Sequence, residues 1–325
     1  MELFATDKTY FDEKVKNFPW PTEPSGLFDP VKYLLSLGGK RIRPLLSLAS
    51  CNAFGGDRDI AIHPAMAVEV FHNFSLMDDD IMDDADLRRG QDTVHQKYDV
   101  NTAILSGDVM LIYAYKILMQ LPAEFHSPCI TVFNKMAEEV CIGQQMDMDF
   151  EESVEVAIMD YLKMIELKTS VLLGASLQLG AIIANANEKN GNHLYQFGKN
   201  IGIAFQIQDD ILDTYGEQAA VGKIIGGDIL NNKKTYLYLK ACQLLSEESS
   251  VELRNLYSSK DAEPQPKIDR VKQLFKDAGV KIYAEELKGE YKNLALSHLD
   301  MVEGINSDAK SQFANFADYL IQRSV

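Results

Sequence analysis

The sequence predicts an all-α protein, a single-domain bundle of long helices. The chain has 325 residues, of which 46% are hydrophobic, so it can bury a large core. From Cys129 to Glu263 it contains no proline, which favours long uninterrupted helices over strands and turns. No linker divides the sequence, and we therefore expect one domain over residues 1–325.

The overall charge and the cysteines limit the partners and the compartment. The formal net charge of −16 argues against nucleic acid and against an anionic membrane surface as partners, because both require basic patches. The four cysteines show no CxxC or disulfide-like spacing, which is typical of a reducing cytosol. No early apolar run resembles a signal peptide, and we expect no run long enough to span a bilayer. The sequence therefore predicts a cytoplasmic protein without an integral membrane segment.

The first elements are a short helix and a basic turn. Residues 1–25 are expected to form a helix that ends before Pro19, followed by a proline-rich turn. The segment Leu37–Pro44 is then a glycine-containing turn that carries three cations into the start of a helix. This segment either binds an anion at the helix start, with Lys40 and Arg43 reaching a diphosphate, or forms a solvated basic cap.

A first acidic cluster lies near the end of the next predicted helix, where six aspartates fall within nine residues. Residues four apart share a helix face, so Asp79 and Asp83 point the same way, with Asp80 beside them. Such a cluster suits Mg²⁺, which binds through one or two carboxylates, several waters and a substrate's phosphates. The following Arg88 and Arg89 match phosphate oxygens. Taken alone, the cluster is equally compatible with a solvated acidic helix end.

The same Asp-Asp-x-x-Asp spacing recurs downstream, at Asp209, Asp210 and Asp213. These residues lie in a strongly apolar helical run, where uncompensated carboxylates are costly to bury. We therefore expect the two clusters to lie on two helices that face each other across a cavity and hold several Mg²⁺ ions against one diphosphate.

The C-terminal part is predicted to contain three amphipathic helices from Ile268 onward, preceded by an exposed loop over Ser258–Lys267. One apolar stripe of the last helix consists of Phe313, Phe316, Leu320 and Ile321.

With these two aspartate motifs, the sequence resembles the trans-type polyprenyl diphosphate synthases of the short-chain farnesyl and geranylgeranyl type. The resemblance covers nearly the whole chain. It implies the isoprenoid synthase fold, in which the helices surround a central cavity, and a homodimer. It also implies three Mg²⁺ ions per active site, for which Mn²⁺ can substitute. The catalytic aspartates are then Asp79, Asp80, Asp83, Asp209, Asp210 and Asp213, and the metal ligands are Asp79, Asp83 and Asp209.

The resemblance further implies which residues bind the two diphosphate substrates. The GGKRxRP segment matches the family residue for residue, and in the family it contacts isopentenyl diphosphate. Lys168 and Thr169 match a Lys-Thr pair whose lysine binds the allylic diphosphate and counts among the catalytic residues. Lys223 and Lys233, on a glycine-rich segment suited to a closing lid, complete that clamp, and the spacing favours Lys233 over Lys234. The implied binding residues are Lys40, Arg43, His72, Arg88, Arg89, Lys168, Thr169, Gln206, Lys223 and Lys233.

Two further features keep alternatives open. His72 lies two helical turns before Asp79, so it faces the aspartates or is a satisfied core histidine. Gln144 and Asp147, near the end of a predicted helix, line the cavity if the resemblance holds, or mark the wet face of that helix.

The length of the product is expected to depend on a floor in the first aspartate helix. Phe74 lies five residues before Asp79, about 7.5 Å along the axis. Its neighbour Ser75 is small, and Phe71 lies about one turn deeper. In the family this arrangement resembles enzymes that make C20 or C15 products, and we favour C20, geranylgeranyl diphosphate. Phe74 as ordinary core packing is the alternative.

The predicted function is the condensation of isopentenyl diphosphate with an allylic diphosphate (dimethylallyl, geranyl or farnesyl), with release of diphosphate. A terpene cyclase is a rival, but cyclases resemble a different second metal motif and lack the GGKRxRP segment. A second rival is a non-catalytic regulatory partner subunit, although such subunits typically lose one aspartate cluster, and this chain keeps both. A Ca²⁺-binding module would need EF-hand spacing, which the sequence does not contain.

Overall fold

The chain folds into helices joined by short loops. The computed structural model describes residues 5–153, 155–216, 226–258 and 263–321. In this part the α-helices are α1 (Ala5–Lys16), α2 (Ser25–Ser36), α3 (Ile42–Ala53), α4 (Arg58–Met82), α5 (Val94–Lys97), α6 (Val100–Leu118), α7 (Ala123–Glu152), α8 (Ile158–Ile165), α9 (Val171–Ile183), α10 (Glu188–Tyr215), α11 (Gly227–Leu230), α12 (Tyr236–Leu244), α13 (Glu247–Ser258), α14 (Pro264–Asp277), α15 (Val280–Asp300) and α16 (Ser307–Ile321). The predicted all-α class is confirmed.

The described residues group into two compact units, each assembled from segments distant in sequence. The first unit comprises Met1–Glu138, Leu172–Tyr195 and Met301–Ala309. The second comprises Glu139–Val171, Gln196–Asp300 and Lys310–Val325. The first aspartate motif therefore belongs to the first unit and the second motif to the second unit.

The first unit contains helices that approach very closely. A Cβ atom added to Gly180 of α9 would lie 2.0 Å from the carbonyl oxygen of Ser47 in α3, so only glycine permits this contact. Gly107 of α6 likewise faces α4, where its added Cβ would lie 3.4 Å from the ring of Phe74. The contact at Gly107 packs α6 against α4, the helix that carries the first aspartate motif, and the contact at Gly180 packs α9 against α3.

One feature of the first unit departs from the all-α prediction. After α4, strands β1 (Leu87–Arg88) and β2 (Gln91–Asp92) form a small antiparallel hairpin in which Leu87 pairs with Asp92. Both residues of its turn, Arg89 and Gly90, have positive φ angles of 55° and 75°, as a type I′ turn requires. From this turn the Arg89 side chain reaches the carbonyl oxygen of Gly38.

The second unit is built around an apolar core to which α8, α10, α12 and α14 contribute. Its buried members include Ile207, Leu237, Val271 and Phe275. Between α8 and α9 the chain forms one π-helical segment, Glu166–Ser170, which contains Lys168 and Thr169 of the predicted Lys-Thr pair. The regular helix expected from the proline-free sequence is therefore interrupted at this pair.

Two predictions about local structure are wrong. The helical stretch Ile158–Ile183 contains an 18-residue window of mean hydropathy 1.2 and is by length and composition able to span a membrane, although we expected no such run. Its most apolar window is 72% buried inside the protein, as in a core helix. The expected exposed loop Ser258–Lys267 is wrong from Pro264 onward, because Pro264 begins α14 and Lys267 is only 4% exposed. Residues 263–266 are exposed as expected, and residues 259–262 lie outside the described part of the chain. Proline at the first helical position starts a helix without losing a hydrogen bond, which explains how Pro264 can begin α14.

The three C-terminal helices are present as predicted. The four apolar residues of the predicted stripe in α16 are all buried: Phe313, Phe316, Leu320 and Ile321.

Candidate active site

The first aspartate motif lies at the C-terminal end of α4. Asp79 and Asp80 are in its last turn, and Asp83 is its C-cap, whose N–H donates to the carbonyl oxygen of Asp79 over 2.9 Å. Asp80 is only 3% exposed, Asp79 is half-buried and Asp83 is exposed. The motif thus presents two more accessible carboxylates, Asp79 and Asp83, beside one that is enclosed.

The enclosed carboxylate is held by Arg88. The guanidinium of Arg88 donates from Nε to Asp80 Oδ2 and from Nη2 to Asp80 Oδ1, each over 2.7 Å. Its Nη2 also lies 3.7 Å from Asp79 Oδ2. Burial raises the pKa of Asp80, and the bonds from Arg88 oppose that rise. This fork-to-fork pair fixes the orientation of Asp80 and occupies Arg88, which the sequence had assigned to substrate.

A basic cluster forms where the GGKRxRP segment meets α4. Arg43 Nη1 lies 2.9 Å from His72 Nε2, while Arg43 Nε is buried without a hydrogen-bond partner in the described part of the chain. Burial lowers the pKa of Arg43 to about 10. Burial and the neighbouring arginines lower the pKa of His72 well below its usual value of 6.5, so the ring is neutral and accepts from Arg43.

Arg89 donates to the carbonyl oxygen of Gly38, and its guanidinium lies 3.0 Å from the position of a Cβ on Gly39. Lys40 is exposed.

Arg41, in the same segment, has a structural role that we did not predict from the sequence. It is buried, with a left-handed φ of 53°. Its Nη1 donates to Glu69 Oε1 over 2.5 Å and its Nη2 to the carbonyl oxygen of Leu35 over 2.9 Å. Of the three cations in the segment, Arg41 is therefore the one that anchors the turn through bonds within the protein.

The second aspartate motif lies in the last turns of α10. Asp210 is buried and accepts a hydrogen bond from the Tyr161 hydroxyl. Its pKa is raised well above the usual value by burial and by the charge of Asp228. Asp213 Oδ2 accepts from the N–H of Asp228 over 3.0 Å, which attaches α11 to α10. Asp209 is half-buried. In this motif, Asp210 and Asp213 are thus both engaged by protein groups.

The structure brings Lys168 and Lys233 together around one carboxylate. Lys168 Nζ donates to Asp147 Oδ2 over 2.7 Å, and Lys233 Nζ lies 3.6 Å from the same oxygen. Lys233 also donates to Glu151 Oε1 over 2.6 Å. Lys234 is directed elsewhere, to the backbone carbonyl of Phe150 over 2.5 Å. Lys233, which the sequence spacing favoured, is thus the lysine that lies beside Lys168, and Lys234 is not.

The π-helical segment brings Lys168 to this position. It packs so closely on α7 that a Cβ on Gly143 would lie 2.2 Å from the backbone nitrogen of Lys168. Gly143 precedes Asp147 by one helical turn, so the same face of α7 supplies both the close contact and the carboxylate. The counter-charge role of Asp147 was not among our sequence predictions, although its acidic character on an otherwise apolar helix was a visible signal.

The remaining predicted residues have simpler surroundings. Thr169 and Gln206 are half-buried. Lys223 lies outside the described residues. Phe74 is half-buried with its ring centroid 5.7 Å from that of Phe71. The hydroxyl of Ser75 donates to the carbonyl oxygen of His72 over 2.9 Å.

The donor set fits Mg²⁺. Within the described ranges no three His, Cys, Asp or Glu side chains form a ready-made metal site. A Mg²⁺ ion needs only one or two carboxylates, because waters and substrate phosphates supply its other ligands. Asp79 and Asp83, four residues apart and linked through the backbone, supply such a pair.

Comparison with known proteins gives consistent matches over the full length. The sequence profile of the polyprenyl synthetase family matches residues 24–277. A geranylgeranyl pyrophosphate synthase of Geoglobus acetivorans is 38% identical over 324 residues, which cover 99% of this chain and 98% of the relative. A crystal structure of a geranylgeranyl pyrophosphate synthase superposes with a TM-score of 0.93 at 43% identity, covering 99% of each chain.

A further solved structure is informative about ligands. It is a geranylgeranyl pyrophosphate synthase from Corynebacterium glutamicum, complexed with isoprenyl diphosphate and magnesium. It is 26% identical to this chain, with a TM-score of 0.84, and the match covers 99% of this chain and 98% of the other.

Proposed function

Because this chain belongs to the polyprenyl synthetase family and is a prenyltransferase, we propose that it condenses isopentenyl diphosphate with an allylic diphosphate to form geranylgeranyl diphosphate. It has the isoprenoid synthase fold that the sequence predicts. The observation that carries the proposal is the presence of two separate groups of cations, one in each unit. Arg43 and Arg89 form the first group, with Lys40 next to them in the sequence segment, and Lys168 and Lys233 form the second. A reaction between two diphosphates needs two such groups.

Isopentenyl diphosphate is assigned to the first group. Arg43 is buried and its Nε lacks a partner in the described part, so a phosphate oxygen there would satisfy a donor that is costly to leave unpaired. His72 accepts from Arg43 and thereby fixes the direction of the remaining guanidinium N–H groups. Arg89 and Lys40 complete the binding of the diphosphate.

The allylic diphosphate is assigned to Lys168 and Lys233, with Lys223 as the third lysine on sequence grounds. Asp147 keeps the two ammonium groups close together when no substrate is bound. Thr169 and Gln206 support the allylic substrate beside them. The dimethylallyl, geranyl and farnesyl starters share the same diphosphate, so this clamp does not distinguish their length.

Magnesium ions, three when the diphosphate is bound and replaceable by Mn²⁺, would be held by Asp79, Asp83 and Asp209 and would neutralise charge on the leaving diphosphate. Asp80, Asp210 and Asp213 keep the two motifs in shape through Arg88, Tyr161 and the N–H of Asp228. They belong to the catalytic set as positioning residues.

In this reaction the protein binds and orients the two substrates and does not itself act as a nucleophile. The allylic C–O bond breaks, and its electron pair leaves with the diphosphate, whose growing charge Lys168 and Lys233 stabilise. The double bond of isopentenyl diphosphate, held by Arg43 and Arg89, donates its electrons to the allylic cation and forms the new C–C bond. A proton is then lost to the released diphosphate. No protein nucleophile is needed.

The C20 product is assigned from Phe74. This ring lies between Phe71 and Gly107 and would meet the growing hydrocarbon tail along α4. Farnesyl diphosphate, the C15 product, is the alternative, and it requires that the tail stop earlier.

We also assign a homodimer and a cytoplasmic location. Helix α6 exposes apolar side chains at heptad spacing, among them Leu105 and Ile112 at 58% and 56%. Such a face on a charged protein is suited to a second copy of the chain. The four cysteines are free thiols, as is usual in a reducing compartment.

The test is an extraction assay with Mg²⁺, radiolabelled isopentenyl diphosphate and each allylic starter in turn, with products resolved by chain length. Labelled C20 product that disappears on chelation is expected. No product from any starter would overturn the proposal and favour the regulatory-subunit alternative.

A matched pair of variants assigns the activity to this site. Asp79→Asn should reduce the rate by about 100-fold or more, because it removes a proposed metal ligand. Asp84→Asn changes the same charge in the same cluster, at an exposed residue with a φ of 48° that asparagine tolerates, and should keep the activity. Equal losses in both variants would contradict the assignment of Asp79.

A further inference from the structure

The second unit has a cavity of about 380 Å³ at the C-terminal end of α10, and neither Lys168 nor Lys233 is among its lining residues. It lies beside the turn between α14 and α15. Residues lining it are Tyr215, Lys272, Phe275, Lys276, Lys281 and Ile282. None of these residues has a place in the proposed reaction.

The cavity combines positive charge with apolar surface. Lys272, Lys276 and Lys281 have no ion pair among the residues that the structure describes, and the one lining carboxylate, Asp269, accepts a hydrogen bond from Gln265. A local excess of ammonium groups is unusual in a protein whose net charge is −16. Such a site attracts an anion and binds it through the lysine ammonium groups.

The apolar part of the cavity indicates that the anion carries a hydrocarbon group. Ile282 is 65% exposed, although it lines the cavity and is a large aliphatic residue. The Tyr215 ring lies 5.2 Å below Lys281 Nζ, and its hydroxyl is buried with no hydrogen-bond partner in the described ranges. Burial also raises the pKa of this hydroxyl to about 12, so it remains an O–H donor.

We propose that this cavity is a second, non-catalytic binding site for a prenyl diphosphate, with the diphosphate on the lysines and the tail on Tyr215 and Ile282. The identity of the ligand rests on the proposed function, whereas the cavity and its charge do not. Tyr215 is the last residue of α10, two positions after Asp213. A ligand bound at this site would therefore contact the helix that carries the second aspartate motif.

The test measures binding to the full chain in the presence of EDTA, which removes the metal that the catalytic site needs. The probes are geranylgeranyl diphosphate and inorganic diphosphate. Hydrogen exchange is followed in peptides that cover residues 264–282. We expect geranylgeranyl diphosphate to slow exchange there and to bind at least about tenfold more tightly than inorganic diphosphate, because only the former buries a tail.

Two double variants of equal charge change provide the comparison. Lys272→Gln with Lys276→Gln should weaken binding of geranylgeranyl diphosphate about tenfold, while Lys116→Gln with Lys189→Gln, at exposed positions of the first unit, should leave it unchanged. Equal affinities in the two variants, or no protection of residues 264–282, would overturn the site. Equal affinity for the two probes would overturn the part of the proposal that concerns the tail. A wild-type chain that forms no prenyl product but passes these tests would disprove the proposed function and keep the site.

Discussion

At the scale of single residues, Asp147 is the acidic residue that lies next to both lysines proposed to bind the allylic diphosphate. Its carboxylate lies within 2.7 Å of Lys168 Nζ and 3.6 Å of Lys233 Nζ. Two ammonium groups at this separation repel each other, and a shared acceptor offsets the repulsion. A diphosphate offers the same kind of oxygen acceptor, so under the proposed function the two lysines are already arranged for an anion before the substrate binds.

Asp147→Asn tests this interpretation. Without the negative charge the two lysines should separate, and kcat/KM for the allylic diphosphate should fall about tenfold, with KM for isopentenyl diphosphate unchanged. The control is Glu151→Gln, because Glu151 contacts Lys233 but is exposed. Steady-state kinetics with each substrate varied in turn gives the result, and an unaltered allylic kcat/KM in Asp147→Asn would contradict the role.

His72 makes stability depend on pH. Its folded pKa lies well below 6.5 because of burial and nearby arginines, so the unfolded chain binds a proton that the native protein does not. The native state therefore has its full free energy of unfolding above pH 6.5 and loses part of it as the pH falls below that value. Below that pH, the wild-type free energy of unfolding should decline by up to about 1.4 kcal/mol per pH unit more than that of His72→Gln. Urea unfolding from pH 5 to pH 8 measures both slopes, and parallel slopes would refute the assignment.

The sequence predicted which residues carry charge at the site but not how they pair. The spacing of each aspartate motif follows from helix geometry alone. The bonds from Tyr161 to Asp210 and from Arg41 to Glu69 join residues far apart in the chain, so no local pattern indicates them. The same limit applies to Arg88, which holds Asp80 where the motif had suggested a substrate contact.

At the scale of elements, the π-helical segment Glu166–Ser170 is the feature that no propensity argument predicted. Its residues are ordinary helix formers, and the wider turn depends on packing against α7 at Gly143. The small hairpin after α4 was missed for another reason. A two-residue strand is too short to show the alternation by which strands are recognised.

Gly143→Ala tests the close contact between α7 and the π-helical segment. The added Cβ would lie 2.2 Å from the Lys168 nitrogen and 2.7 Å from the Leu167 carbonyl carbon, so backbone must move. We expect the free energy of unfolding to fall by about 3 kcal/mol or more. Gly289→Ala in α15 meets nothing within 4 Å and should be neutral or stabilising by up to about 1 kcal/mol. Denaturant unfolding compares them, and similar values for both variants would disprove the contact.

Phe74→Ala tests the floor on α4. Removing the ring should let the tail extend past Phe71 and shift the products beyond C20. Ser75→Ala, in the same turn, removes only a hydroxyl and should leave the product length unchanged. Product chromatography decides, and an unshifted product pattern in Phe74→Ala would make this residue ordinary core packing.

At the scale of the whole molecule, hydrophobic content and proline placement were sufficient to predict the helical class. They were insufficient to show that the chain's contacts form two units from interleaved segments, because this grouping depends on tertiary packing. The apolar stretch Ile158–Ile183 shows the same limit, since composition alone cannot distinguish a buried core helix from a membrane span.

The proposed homodimer is tested through the exposed face of α6. Leu105→Glu combined with Ile112→Glu should place two charges in the interface and yield monomers of 36.5 kDa. The control, Met159→Glu with Val251→Glu, changes two exposed apolar residues of the second unit and should stay dimeric. Light scattering after size exclusion gives the masses. A monomeric wild type, or a dimeric α6 variant, would contradict the assignment.

The π-helical segment also has an evolutionary consequence. A π turn contains about one residue more than the α turn that it replaces, so the helix on either side is rotated by roughly 100° relative to an uninterrupted one. A homologous gene that lost one codon between Glu166 and Ser170 would encode a protein of nearly the same composition and helix content. In that protein, Lys168 would point away from Asp147. The arrangement in which Lys168 and Lys233 share this carboxylate would then be lost. We therefore expect the length of this segment to be inherited more strictly than the identity of its side chains.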